Sequence, residues 1–301
     1  MNPGKTAMNE RSECGRFDDL GLLRFQGSEA SKFLQGQLSQ DLNRLGAAGA
    51  QRTEQGLLAG LHNPQGRTIA VLRLAPLSSD EIAAVLPLEL ADPVAAQLRR
   101  YVLRAKVTIV NDSSNTGVYG FAGALAHLPA GVASLRIGSE HRWLVLAPTQ
   151  GLQLPHGDPT VPRAAWRAAD IAAGLPQVYA ATSGAFVAQM LNLDCVDAVS
   201  FSKGCYTGQE VIARAHYRGR VKRRMQRFKT RSPQNLAAGD SGTLQDGRSF
   251  QVVDAVRDEA GRSEFLAVAA LTAAATDTAD AAPVGATIDC DALPLPYDLP
   301  G

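Results

Sequence analysis

Residues 201–225 read FSKGCYTGQEVIARAHYRGRVKRRM. Cys205 stands there between Gly204 and Gly208, Lys203 precedes it, and a cationic run free of acids follows. Thr207 and Glu210 have capping-box spacing, which predicts a helix entered at Thr207. Gly208, Val211, Ile212 and Ala215 fall on one face of that helix, and Glu210 and Arg214 are spaced to pair on the other. Gly219 is a natural stop. KGCY is therefore expected as a loop leading into about three helical turns. A thiol just before a helix N-terminus and near a lysine is favoured as thiolate, and the glycines leave room for close approach of a ligand. Cys205 as nucleophile, metal ligand, pocket wall or small buried hydrophobe at a loop corner all remain open. No spacing assigns it a histidine partner: His216 need not face the loop, His62 sits in a turn, and His127, His141 and His156 lie elsewhere.

Working outward, residues 214–231 hold nine of the 30 Lys and Arg and no acid, leaving 21 bases against 29 acids in the rest of the chain. That concentration suggests a local anionic partner or a solvated basic strand. The four cysteines (Cys14, Cys195, Cys205, Cys290) form no C-x-x-C pair and no zinc-finger spacing. Residues 1–14 lack an apolar core and read as a flexible leader, and no apolar run approaches the roughly 20 residues that span a bilayer. A reducing cytoplasm fits this cysteine usage.

The 301 residues, 45% of them hydrophobic, suffice for two or three domains. Strands are expected at 20–25, on either side of the Asn63–Pro64–Gly66 turn, at 81–86, 106–110, 117–121, 133–137 and 143–146. Helices are expected after Ser28, ending at Gly36, over Pro93–Leu103 with Asp92 as cap, and from Ala164 to before Gly174. Beyond the basic run, short strands separated by Gly-Asp, Asp-Gly and Glu-Ala-Gly turns predict a small β-rich domain, plausibly a barrel. TAAATDTADAAPVGAT reads as a surface excursion. The mixture is α+β rather than a βαβ repeat.

KGCYTGQE, together with FLQGQLSQDL (33–42), NPQGR (63–67), WRAADIAAGLP (166–176), MLNLDCVDAVSF (190–201) and PLPYDLP (294–300), resembles the YgfZ family, folate-binding proteins related to the glycine cleavage T-protein. The resemblance spans nearly the whole chain. It implies an α+β, three-domain T-protein-like architecture around a central cleft with a small C-terminal β-barrel, here 15–115, 116–222 and 223–301. It implies a folate-binding accessory protein supporting iron–sulfur enzymes, including those that modify tRNA, with tetrahydrofolate or a derivative as cofactor and iron–sulfur enzymes or cluster-assembly proteins as partners. Cys205 and Lys203 would carry the chemistry. Trp166, Tyr206, Gln209, Glu210 and Arg214 would contact folate, with no metal site. A flat pterin suits aromatic walls, and a glutamate tail suits Arg214 and its basic neighbours. The alternative is a folate-dependent aminomethyltransferase. Against it stand Cys205, which T-proteins lack, and residues 174–186, which have no acid where T-proteins grip the pterin. Nine cations could instead meet phosphates, but with only Tyr217 and Phe228 among them neither direct nucleic-acid binding nor membrane binding is expected.

Overall fold

The computed structural model describes residues 16–45, 56–122, 132–136, 142–150, 161–219, 221–272 and 285–300. The expected leader, and all but the ends of the expected surface excursion, lie outside them. The fold is α+β, rich in strands and poor in helices. The chain divides into two compact units, one of residues 1–37, 41–59 and 72–166, the other of 38–40, 60–71 and 167–301.

In the first unit, β1 (Leu20–Gln26) lies between β4 (Glu81–Pro87) and β5 (Thr108–Asn111), antiparallel to both. It belongs to a five-stranded sheet ordered β2 (Leu57–His62), β3 (Thr68–Ser78), β4, β1, β5. β1 is apolar except for its last residue Gln26 and for Arg24, whose guanidinium is held by Glu81 at 2.9 Å and Asp112 at 2.8 Å. Helix α2 (Leu88–Arg99) packs on β1, β4 and β5 through Leu90, Ala91, Val94, Ala95 and Leu98, all buried. A second sheet orders β6 (Thr116–Ala122), β8 (Arg142–Pro148) and β7 (Ala133–Arg136). Helix α3 (Arg163–Ala172) follows it in sequence and ends before Gly174, as expected.

Two helix starts in the first unit differ from expectation. α1 (Ala30–Gln35) has Glu29, not Ser28, at its N-cap; the Glu29 carboxylate instead accepts from the Lys106 amide at 2.8 Å. α2 begins at Leu88, so Pro93 lies inside it rather than at its first position. Its apolar face already starts at Leu90, and burying that face outweighs the one intrahelical bond that proline forfeits.

In the second unit, six strands form one sheet: β13 (Thr287–Ile288), β10 (Ser241–Leu244), β11 (Ser249–Arg257), β12 (Ser263–Ala270), β9 (Arg223–Thr230) and β14 (Cys290–Leu293). Its two edges are consecutive in sequence. β13 pairs with β10 and β14 pairs with β9, with only Asp289 between them. One short segment thus joins both edges and closes the sheet into a nearly complete barrel, leaving little free edge. Phe228, Phe250, Phe265, Val252 and Leu244 fill its interior. The Asp-Gly and Glu-Ala-Gly turns fall where expected, with Gly247 and Gly261 at positive φ.

Candidate functional site

The site grows from three segments far apart in sequence. Asn63–Arg67 is a turn closed on itself: Gly66 N donates to Asn63 O at 2.9 Å, and Arg67 N donates to Asn63 Oδ1 at 2.9 Å. Helix α4 (Gln209–Arg218) starts against this turn. Gly208, its N-cap, has φ +84°, and a Cβ there would stand 2.6 Å from Asn63 O. Gly66, at φ +71°, would set a Cβ 2.9 Å from that of Val211. Two glycines therefore let the turn and the helix entrance touch backbone to backbone. The expected Thr207–Glu210 capping box does not form, because the left-handed Gly208 makes the entrance instead. Gln209 does the reaching back: its Oε1 accepts from Tyr206 N at 3.3 Å. Of the expected apolar helix face only Ile212 is buried, while Val211 is 40% exposed.

Ser39 and Gln40 tie the third segment in. Ser39 Oγ donates to Ala198 O at 2.7 Å and accepts from Gly60 N at 2.8 Å, and Gln40 Nε2 donates to Asp197 O. Lys203 is buried, and its ammonium donates to Leu38 O at 2.7 Å and Gln40 O at 2.9 Å while lying over the Tyr206 ring. The lysine expected beside the thiol is thus engaged as a staple between loops. Sequence reasoning passed over Ser39 and Gln40, because in the largely polar stretch LQGQLSQDL nothing local sets these two apart from Gln35, Gln37 and Asp41.

His62, the last residue of β2 rather than a turn residue, is fully buried under this assembly. Its Nδ1 lies 3.3 Å from Thr68 Oγ1, its ring centroid is 6.3 Å from that of Tyr206, and Nε2 has no hydrogen-bond partner among the described residues. Burial drives its pKa down from 6.5 to about 3. The folded protein therefore takes up no proton here when the unfolded chain does, so stability is complete above pH 6.5 and falls as pH drops below it. Between pH 7 and pH 5 His62 alone should remove about 2 kcal/mol. Urea unfolding across that range should show this slope in the wild type and a shallower one in His62→Gln.

Cys205 stands at the tip of the stapled loop. It is a free, exposed thiol, and Gly204 beside it has nothing within 4 Å of where a Cβ would be. The other two described thiols are partly buried, and burial pushes Cys195 and Cys290 up to about 11.

A second clasp joins the remaining motif segments. Arg224 meets Asp194 through two bonds of 3.0 Å, with side chains 4% and 8% exposed. Asn192 Nδ2 donates to Met225 O at 2.8 Å. Tyr297 donates to Gly174 O at 2.7 Å, and Gly174 is at φ +63° where a Cβ would strike that hydroxyl. A cavity of about 370 Å³ opens here, lined by Gln189, Asp194, Cys195, His216, Arg224 and Tyr297 among others; none of the residues expected to touch folate lines it.

The basic run divides in two. Arg227 pairs with Glu264, Lys229 with Asp258, Arg231 with Asp289 and Asp291, and Arg224 with Asp194. Arg223 donates to Ser249 and Val268. All but Arg224, whose partner belongs to the clasp, serve the barrel. Arg214 and Arg218, one turn apart on α4, are exposed, and neither they nor Glu210 form an ion pair among the described residues, so the expected Glu210–Arg214 pair is not made.

The chain is 32% identical over 276 residues to a protein of Enterobacter sp. (strain 638) named tRNA-modifying protein YgfZ, covering 81% of each. The chain belongs to the YgfZ family. An uncharacterized protein of Haemophilus influenzae is 35% identical over 225 residues, 74% of this chain and 76% of its own length. No family model matches the chain. The glycine cleavage system aminomethyltransferase T of Bartonella henselae shares the fold, with a TM-score of 0.59 at 12% identity over 85% of this chain and 77% of that one.

For a YgfZ-family chain, the folate contacts implied by resemblance can be set against these positions. Trp166, in the first unit, is fully buried. Phe17 lies 5.4 Å away centroid to centroid and the Arg142 guanidinium covers its ring at 5.0 Å. It is wholly enclosed in this structure, although its indole Nε1 is buried without a hydrogen-bond partner among the described residues. Tyr206 is 7% exposed, its hydroxyl pushed up to about 12 by burial. Gln209 is half-buried at the first position of its helix, while Glu210 and Arg214 face solvent. Of the named set, Glu210 and Arg214 are thus open to solvent, Gln209 is partly so, and Trp166 and Tyr206 are enclosed.

Proposed function

We propose that this protein is a folate-binding accessory protein that supports the assembly or repair of iron–sulfur enzymes, including enzymes that modify tRNA, in the cytoplasm. One observation carries the reading: the family motif presents Cys205 as an exposed thiol on a loop pinned by Lys203, Ser39 and the Gly66–Gly208 contact. In this reading Cys205 reacts with or touches the client, and Lys203 positions the loop rather than the thiol's proton. Folate is held by its glutamate tail at Arg214 and Arg218, and residues other than Trp166 wall the pterin. The functional division of the chain is 15–115, 116–222 and 223–301.

Calorimetric titration with tetrahydrofolate tests the ligand. Pentaglutamyl tetrahydrofolate should bind more tightly than the monoglutamyl form, and Arg214→Ala with Arg218→Ala should weaken the longer ligand by about fivefold, the scale of an exposed charge pair near 1 kcal/mol. Absence of saturable binding of either form at millimolar concentration would remove folate from the account. The T-protein fold favours a second reading, aminomethyl transfer to folate. Glycine-cleavage activity with the other components supplied would establish it, and the acid-free 174–186 segment leads us to expect none.

A further inference from the structure

In the first unit, the loop that follows α2 carries a leucine where a surface loop is expected to carry glycine or asparagine. Leu103 is 91% exposed and has φ +32°, in the left-handed region where Cβ crowds the following carbonyl. The loop around it is held fast. Ala105 N donates to Val102 O at 2.7 Å and Glu29 N donates to Lys106 O at 3.3 Å, while Lys106 N donates to Glu29 Oε2 at 2.8 Å. Gly27 lies so close beneath that a Cβ there would be 2.2 Å from Lys106 O. These bonds thus fix the backbone, and with it the Cα–Cβ direction, of an almost wholly exposed apolar side chain. Tyr101, 44% exposed, stands beside it in sequence, and Arg100 and Arg104 flank it, both exposed and without an ion-pair partner among the described residues. No acid occurs between Asp92 and Asp112. Backbone strain that no contact among the described residues uses points to a use outside the molecule.

We propose that Arg100–Lys106 is a protein-docking loop, whose partner presents an apolar pocket for Leu103 inside an acidic rim that meets Arg100 and Arg104. Exposed cations around an apolar anchor would also suit an anionic lipid surface. A protein is favoured because a fluid bilayer needs no fixed side-chain direction, whereas a shaped pocket does. One leucine is also far less apolar surface than stable membrane anchoring takes, while Tyr and Arg beside a central anchor are the residues on which protein interfaces depend most.

The test places p-benzoyl-phenylalanine at position 103 of the full-length chain and irradiates cells of the organism that makes it. The expected result is an adduct with one discrete protein, cross-linked at a segment rich in Asp and Glu, and reduced at least tenfold by Arg100→Glu with Arg104→Glu. Leu103→Gly should leave the melting temperature unchanged or raise it, since glycine relieves the strain. An adduct to lipid, to a second copy of this chain or to a segment without acids would overturn the proposal. So would the lack of a discrete adduct, indifference to charge reversal, or a melting temperature lowered by Leu103→Gly.

Discussion

Asp194→Ala should lower the free energy of unfolding by about 3–5 kcal/mol, the cost of leaving a buried guanidinium without its carboxylate. Arg224 and Asp194 are almost completely shielded from water, and their two parallel bonds of 3.0 Å hold the strand that opens the barrel against the segment after Gln189. The pair itself need not add net stability, since desolvating both charges consumes most of what their attraction returns. Pairing Asp194→Ala with Arg224→Met should therefore recover much of the loss, and urea unfolding of the two single variants and the double variant measures this directly. A loss below about 1 kcal/mol for Asp194→Ala would mean that water reaches Arg224 and that the clasp is open in solution.

Gly208→Ala is the second large effect. A left-handed backbone costs an L-residue about 1–2 kcal/mol, and the added methyl would stand 2.6 Å from Asn63 O and 3.1 Å from the Gly66 Cα. Neither contact can be relieved by rotating a side chain. Moving the turn should add roughly 1–3 kcal/mol, as overpacking elsewhere does. Gly247→Ala is the matched control, because Gly247 has the same φ of +84° and nothing within 4 Å. The control should show the backbone cost alone. Equal losses at the two positions would mean that the helix entrance and the Asn63–Arg67 turn do not depend on this contact.

The sequence made most of the strands legible, because alternating apolar runs between Gly, Asn and Asp turns have few other solutions. β10, β11 and β12 fall between the expected turns for that reason. Helix starts were less legible: Pro93 and Thr207 both carry strong local start signals, and at both a tertiary demand prevailed. At Pro93 it was the burial of Leu90 and Ala91; at Thr207 it was the backbone contact that only Gly208 permits. The site was legible as motifs but not as a place. Nothing local says that Lys203 will reach Leu38 and Gln40, or that Asn63 will meet Gly208, because those contacts join segments more than a hundred residues apart. The basic run misled in the same way. Its charge was visible, while the acids that use it, Glu264, Asp258, Asp289 and Asp291, arrive only when the barrel closes.

The thiol of Cys205 is the centre of this account, and a paired measurement on Cys205→Ala tests it most directly. In cells lacking their own copy of the protein, one would measure tRNA modification and the activity of iron–sulfur enzymes, alongside the melting temperature of the purified variant. An exposed side chain at an open loop tip should leave the melting temperature within a degree or two of wild type, while both cellular readouts fall to the level of cells with no copy at all. Full function in Cys205→Ala, or a large loss of stability that accounts for a partial one, would contradict the account and return Cys205 to the role of a loop corner.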